Sequence, residues 1–230
     1  MNRHISEQYD TELDNVRSRL LEMGGLVEQQ LQRACQSLYN HDADLADDVR
    51  AGDARINQLE VDIDDLCIQI IARRQPAATD LRTLISIMKA STDLERIGDE
   101  AERIAKMAQK VVHLEPPANQ YSDIRGMADR VQHMLATALD AFARVSADSA
   151  VDVIEADEAV DRAYDSIVRS TGEAMKAQPE RIEHALTVLW IARALERCGD
   201  HAKNLCEYIV YLVKGQDVRH GDAAAAVSNH

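Results

Sequence analysis

Leu94-Glu95-Arg96-Ile97-Gly98-Asp99 returns in the second half of the chain as Leu195-Glu196-Arg197-Cys198-Gly199-Asp200. The match extends outward. Ala101 corresponds to Ala202, and upstream Leu81 corresponds to Ile182. Further back, Asp53, Ile56 and Asn57 correspond to Asp157, Val160 and Asp161, and Ile63 corresponds to Ile167. Similarity that recurs in the same order across two halves marks a duplication. Each copy is therefore one supersecondary block, and its apolar spacing says of which kind.

Ile56, Leu59, Ile63, Leu66 and Ile70 recur every three or four residues, which is the period of one face of an α-helix. Val160, Ala163 and Ile167 repeat that stripe. Ile97, Ala101, Ile104 and Ala108 form another, echoed by Cys198, Ala202 and Leu205. Breakers are sparse. Asn40-His41-Asp42 interrupts one helical pattern, and Gln75-Pro76 stops the next, leaving Thr79 or Asp80 as the following N-cap. Pro116-Pro117 divides the chain near its middle. Ser122, the stretch 146–149 and Gln178-Pro179 repeat the logic, and Gly215 closes the last helix. The spacing predicts six helices over 7–39, 43–74, 80–113, 122–144, 149–176 and 180–213. Short connections make consecutive helices antiparallel neighbours. The expected fold is all-α: two pseudo-symmetric three-helix bundles over 1–115 and 118–215, end to end or side by side. A disordered tail is expected over 216–230.

Composition agrees. One Trp, six Tyr and one Phe are too few aromatics for a β-sheet core, and nine Gly with four Pro cannot punctuate many short strands. Hydrophobic residues make up 46%, enough for a sizeable core. The balance of Lys+Arg 26 against Asp+Glu 40 leaves a formal charge of −14. Such a surface repels a phosphate backbone, so no nucleic-acid partner is expected. Met1 to Asp10 contains no apolar leader core, and no apolar run reaches about 18 residues, so a cytoplasmic protein without direct membrane insertion is expected. Cys35, Cys67, Cys198 and Cys206 show no compact pairing pattern and read as reduced thiols. Cys198 aligns with Ile97 and Cys206 with Ala105, so both read as small core positions rather than as zinc ligands beside His201.

Carboxylates at i and i+4 carry the chemistry. Glu95/Asp99, Asp157/Asp161 and Glu196/Asp200 each place two like charges about 6 Å apart on one helix face. That spacing weakens an isolated helix by a few tenths of a kcal/mol, yet it recurs at matching points in both halves. Carboxylate oxygens are hard ligands, suited to Mg²⁺, Ca²⁺, Mn²⁺ or iron. Two readings stay open: solvated acidic faces projecting away from an apolar seam, or cation sites. At Asp53/Asn57 an amide replaces the second acid, so the first-half site is expected to be weaker in charge. Gly98 and Gly199 read as points of close helix approach, and Gly24-Gly25 as a crossing or a kink. Leu84, Ile87, Met88, Leu186, Leu189 and Trp190 read as core or as oligomer contacts. No phosphate-binding Gly loop, nucleophile elbow, His-Glu-x-x-His or Glu-x-x-His pair occurs, so the usual hydrolase and di-iron readings fall away.

The duplicated Glu-Arg-Ile/Cys-Gly-Asp segments, together with Met23-Gly24-Gly25-Leu26-Val27-Glu28, Asp140-Ala141-Phe142-Ala143-Arg144 and Tyr211-Leu212-Val213-Lys214-Gly215-Gln216-Asp217, resemble the PhoU family. The resemblance runs from about His4 to His220. It implies two symmetric three-helix bundles and no enzymatic activity. It implies a negative regulator of the phosphate-starvation response that also restrains phosphate uptake. The implied partners are the ATPase subunit of the phosphate ABC transporter, a sensor histidine kinase and a second copy in a homodimer. Some members bind metal on acidic E/D-x-x-x-D motifs, which fall here on Glu95/Asp99, Glu196/Asp200 and Asp157/Asp161, with Asp53/Asn57 departing from the pattern. No organic cofactor is implied. The alternative reading is a carboxylate-based metal-binding or metal-dependent catalytic helical protein.

Overall fold

The computed structural model describes residues 2–112 and 121–215, with side chains from Glu7 onward. The Pro116-Pro117 break, the 115/118 boundary and the 216–230 tail lie outside the described residues. Six α-helices make up most of the described residues: α1 (Asn2–Asn40), α2 (Ala43–Arg74), α3 (Ala78–Val111), α4 (Ser122–Arg144), α5 (Ala147–Ala177) and α6 (Ile182–Lys214). A 3-10 turn at Pro179–Arg181 leads into α6, with Pro179 in its first turn where a missing N–H costs nothing.

The helix ends repeat along with the helices. α1 ends with His41 at φ 52, and α4 ends with Val145 at φ 53, both left-handed. In each case the following N–H reaches back to a carbonyl of the last turn: Asp42 to Ser37 at 2.9 Å and Ser146 to Ala141 at 3.0 Å. The next helix then starts from a side-chain cap. Asp42 accepts from the Leu45 N–H at 2.9 Å, and Ser146 accepts from the Ser149 N–H at 3.5 Å. The expected cap of α3 at Thr79 or Asp80 is not formed. α3 begins at Ala78 with Ala77 as an uncapped flank. Asp80 already lies in the first turn, where the helix dipole favours an acid, and accepts from the Tyr9 hydroxyl at 3.1 Å instead.

α1, α2 and α3 pack on one another, as do α4, α5 and α6. The two bundles lie side by side, with α3 along α6 and α1 against α4. One continuous apolar core runs through both, from Val16 to Val210. At the α1–α4 crossing a Cβ on Gly24 would collide with the Leu139 side chain, whereas Gly25 has open space around it. The close-crossing reading holds for Gly24 alone.

The α3–α6 seam also contains buried acids. Asp93 Oδ1 lies 2.7 Å from His201 Nδ1 and accepts from Asn204 Nδ2 at 3.0 Å, and its Oδ2 accepts from the Tyr208 hydroxyl at 2.7 Å. Glu100, 2% exposed, meets Arg197 at 2.9 Å and Arg103 at 3.2 Å. Rising numbers on α3 meet falling numbers on α6, so the two run antiparallel. His201 is committed to Asp93, while Cys198 and Cys206 are buried in the core as free thiols.

Candidate functional site

The eight candidate residues form two equivalent seams. Asp53 and Asn57 of α2 face Glu95 and Asp99 of α3, and Asp157 and Asp161 of α5 face Glu196 and Asp200 of α6. The two glycines set the approach. A Cβ on Gly98 would stand 3.3 Å from Ile56 and 3.4 Å from Asp53 Oδ1. A Cβ on Gly199 would stand 3.4 Å from Val160 and 3.6 Å from Asp157 Oδ1. Each glycine thus lets the neighbouring helix lay its first acid directly over the α3 or α6 backbone, as the packing reading requires.

The acids divide by exposure. Asp157 is buried, and Asp53, Glu95, Asp99 and Glu196 are half-buried where α2 or α5 packs over them, whereas Asn57, Asp161 and Asp200 are exposed and project outward as expected. Asp157 is only 3% exposed. Burial raises the carboxyl pKa of Asp53, Glu95, Asp161, Glu196 and Asp200, and like charges push it further. Asp99 acts on both Asp53 and Glu95, and Asp157 acts on Asp161, Glu196 and Asp200.

The two seams differ in their neighbours. In the first, Asp53 accepts from Asn57 Nδ2 at 3.0 Å and from Gln30 Nε2 at 3.3 Å. Asn57 is therefore turned to donate to its own helix partner. Glu102 adds a further carboxylate there and meets Arg50 at 3.3 Å, and Glu95 lies 3.6 Å from Arg96. In the second seam Lys203 stands where the repeat places Glu102, and its Nζ is 2.8 Å from Asp157 Oδ2. Arg193 pairs with Glu196 Oε1 at 2.5 Å. Asp157 Oδ1 and Glu196 Oε2 remain buried without a hydrogen-bond partner. Asp99, Asp161 and Asp200 form no ion pair with the described residues.

A cation fits this donor set in the second seam, since two buried carboxylate oxygens lack any other satisfaction there. In the first seam the Asp53 oxygens are already occupied by amides. Among the described residues no three His, Cys, Asp or Glu side chains are gathered as a metal-ligand cluster as they stand. Binding in the second seam would compete with Lys203 and Arg193.

Sequence reasoning missed Asp93, Glu100 and Lys203. The signal was present: Asp93 and Glu100 fall on the apolar side of α3, and each breaks the repeat, aligning with Ala194 and His201. Of the apolar residues left open, Leu84 and Ile87 are core, while Leu186 and Trp190 are exposed.

The fold and seams define a class: duplicated all-α proteins of two side-by-side three-helix bundles with paired acids at equivalent helix contacts. The chain belongs to the PhoU family, whose PhoU domain matches residues 20–108 and 124–209. A Pseudomonas putida phosphate-specific transport system accessory protein PhoU homolog is 48% identical over 217 residues, 94% of this chain and 85% of the relative. The crystal structure of PhoU from Pseudomonas aeruginosa superposes with a TM-score of 0.88 at 46% identity, covering 90% of this chain and all of that one. The phosphate transport system regulatory protein PhoU from Streptococcus pneumoniae gives 0.85 at 32% identity, covering 91% and 99%.

Proposed function

We propose that this chain is a cytoplasmic, non-enzymatic negative regulator of the phosphate-starvation response and of phosphate uptake. It acts as an adaptor between the ATPase subunit of a phosphate ABC transporter and a sensor histidine kinase. The observation that carries this reading is 48% identity, over 94% of the chain, to a protein named for accessory function in phosphate-specific transport. The acidic seams suit the adaptor role: half-buried, mutually repelling carboxylates are satisfied either by a cation or by a basic partner surface, and electrostatic complementarity sets specificity and association rate. A divalent cation or iron bound at Asp157 and Glu196 would supply local positive charge and reverse the docking preference of that face. No helix among the described residues is long and apolar enough to cross a membrane, which is compatible with an adaptor of this kind.

The test is genetic and biochemical. Cells lacking the chain, grown with abundant phosphate, should express a phosphate-starvation reporter constitutively, and restoring the chain should silence it. Purified chain should retain the transporter ATPase and the kinase cytoplasmic region on a column. Normal repression without the chain, or retention of neither partner, would overturn the reading.

A further inference from the structure

We propose that the groove between the C-terminal half of α3 and the N-terminal half of α6 is a docking surface for an acidic amphipathic helix of a partner protein. The groove encloses ≈ 580 Å³ and is lined by Arg103, Lys106, Lys110 and Met107 of α3 and by Trp190 of α6. Trp190 is 54% exposed although it is the largest apolar side chain of the protein. Leu186 and Ile182 lie one and two turns back along the same face of α6, and both are exposed. Ile182, Leu186 and Trp190 therefore form an unpartnered apolar stripe at i, i+4 and i+8 on a helix whose other faces are packed.

Charge identifies the occupant. In a chain of formal charge −14, this stripe is flanked by a run of cations at one-turn spacing, Arg103, Lys106 and Lys110. Arg103 is engaged by Glu100 at 3.2 Å. Lys106 and Lys110 have no ion pair or hydrogen bond to any described residue. A helix with carboxylates at i and i+4 would pair with them and set apolar anchors against Trp190, Met107 and Leu186. Asp99 and Glu102 line the opposite end of the groove and favour a polar or basic residue at that end of the partner helix, which fixes its direction. The groove is concave and bordered by acids, which disfavours an anionic lipid surface. The groove adjoins the first acidic seam, with which it shares Asp99 and Glu102, and only its Lys106–Lys110 end is opposite in sign.

The single tryptophan is the reporter. The full chain is titrated with three synthetic helical peptides: one acidic amphipathic, one with every Glu changed to Lys, and one acidic but scrambled so that its apolar face is lost. The acidic amphipathic peptide should shift the Trp190 emission to the blue and bind at least about tenfold more tightly than the other two. The Lys106→Glu/Lys110→Glu variant, whose changes are exposed and spare the fold, should exchange that preference for the basic peptide. Equal binding of both signs, no shift with any peptide, or an unchanged preference in the variant would overturn the proposal. So would a shift produced by phosphatidylglycerol vesicles but not by peptide, or dissociation of a homodimer on Leu186→Ala/Trp190→Ala substitution, since each assigns the groove to another occupant.

Discussion

Glu196 and Asp200 hold their protons more tightly in the folded chain than in the unfolded one, because burial and then neighbouring acids disfavour the charged forms. A raised folded pKa favours the fold at acid pH, and the advantage is lost as pH rises through the folded value, leaving the full penalty at neutral pH. His184, whose pKa burial lowers, and Glu12, whose carboxyl the Arg74 hydrogen bond holds below its usual range, work the other way and lose stability on acidification. Comparing a variant with its parent isolates the seam. Glu196→Gln/Asp200→Asn should raise the Tm by about 2–4 °C at pH 8 and by much less at pH 4.5, in melts without metal. An equal gain at both values would show that charge repulsion is not the source. Lys203→Met leaves Asp157 buried with neither oxygen paired, so stability at neutral pH should fall by about 1–3 kcal/mol. Added Mn²⁺ should then recover more of the Tm than it adds to the parent, and an identical metal response in the two proteins would remove the second seam as a cation site. The paired acids were legible at this scale because i and i+4 fix a helix face. The burial of Asp157 and the half-burial of Asp53, Glu95 and Glu196 were not, since they depend on where α2 and α5 lie, which Gly98 and Gly199 permit but do not announce.

At the scale of the element, local rules apply most directly where tertiary contacts are fewest. Gly172 sits inside α5 with open space where a Cβ would stand, so Gly172→Ala should add about 0.5–1 kcal/mol of helix stability. Gly98→Ala is the contrast. Its Cβ meets Ile56 at 3.3 Å, and the same propensity gain is offset by crowding at the α2 contact. Val145 is a β-branched residue at φ 53, a conformation that costs an L-residue about 1–2 kcal/mol. Val145→Gly should therefore stabilise by about 1 kcal/mol, and urea denaturation of the three variants orders them. A destabilised Val145→Gly protein would mean that the valine side chain matters more than its backbone. These elements also show how far the chain could be read in advance. Asp42, Ser146, Pro179 and Gly215 mark helix ends by their own chemistry, so most boundaries were visible. His41 and Val145 are left-handed without being glycine, imposed by the turn that brings the next helix back, and nothing in either side chain signals it. Asp80 shows the converse, a good capping residue drawn into a contact with Tyr9 more than one helix away.

The side-by-side arrangement of the bundles follows from α3, whose buried residues exceed one stripe. Leu94, Ile97, Ala101 and Ile104 are buried, and Asp93 and Glu100 add buried positions that meet α6. Periodicity alone could not separate end-to-end from side-by-side packing, because an apolar line does not say how many neighbours share it. The buried acids do say so, since Asp93 and Glu100 have no use on a face that meets only α1 and α2. Two bundles that share α3–α6 and one continuous core should unfold together. Far-UV circular dichroism reports helices of both bundles, whereas Trp190 fluorescence reports α6 alone. The two urea transitions should coincide. Asp93→Ala tests the seam, because it leaves His201, Asn204 and Tyr208 facing a void where a buried carboxylate joined them. Stability should fall by about 2–4 kcal/mol, and amide exchange should accelerate in α3 and α6 together rather than in one bundle. If the dichroism and fluorescence curves separate in the parent chain, or if exchange in the variant rises in α6 while α3 stays protected, the bundles are independent folding units and the shared core does not couple them.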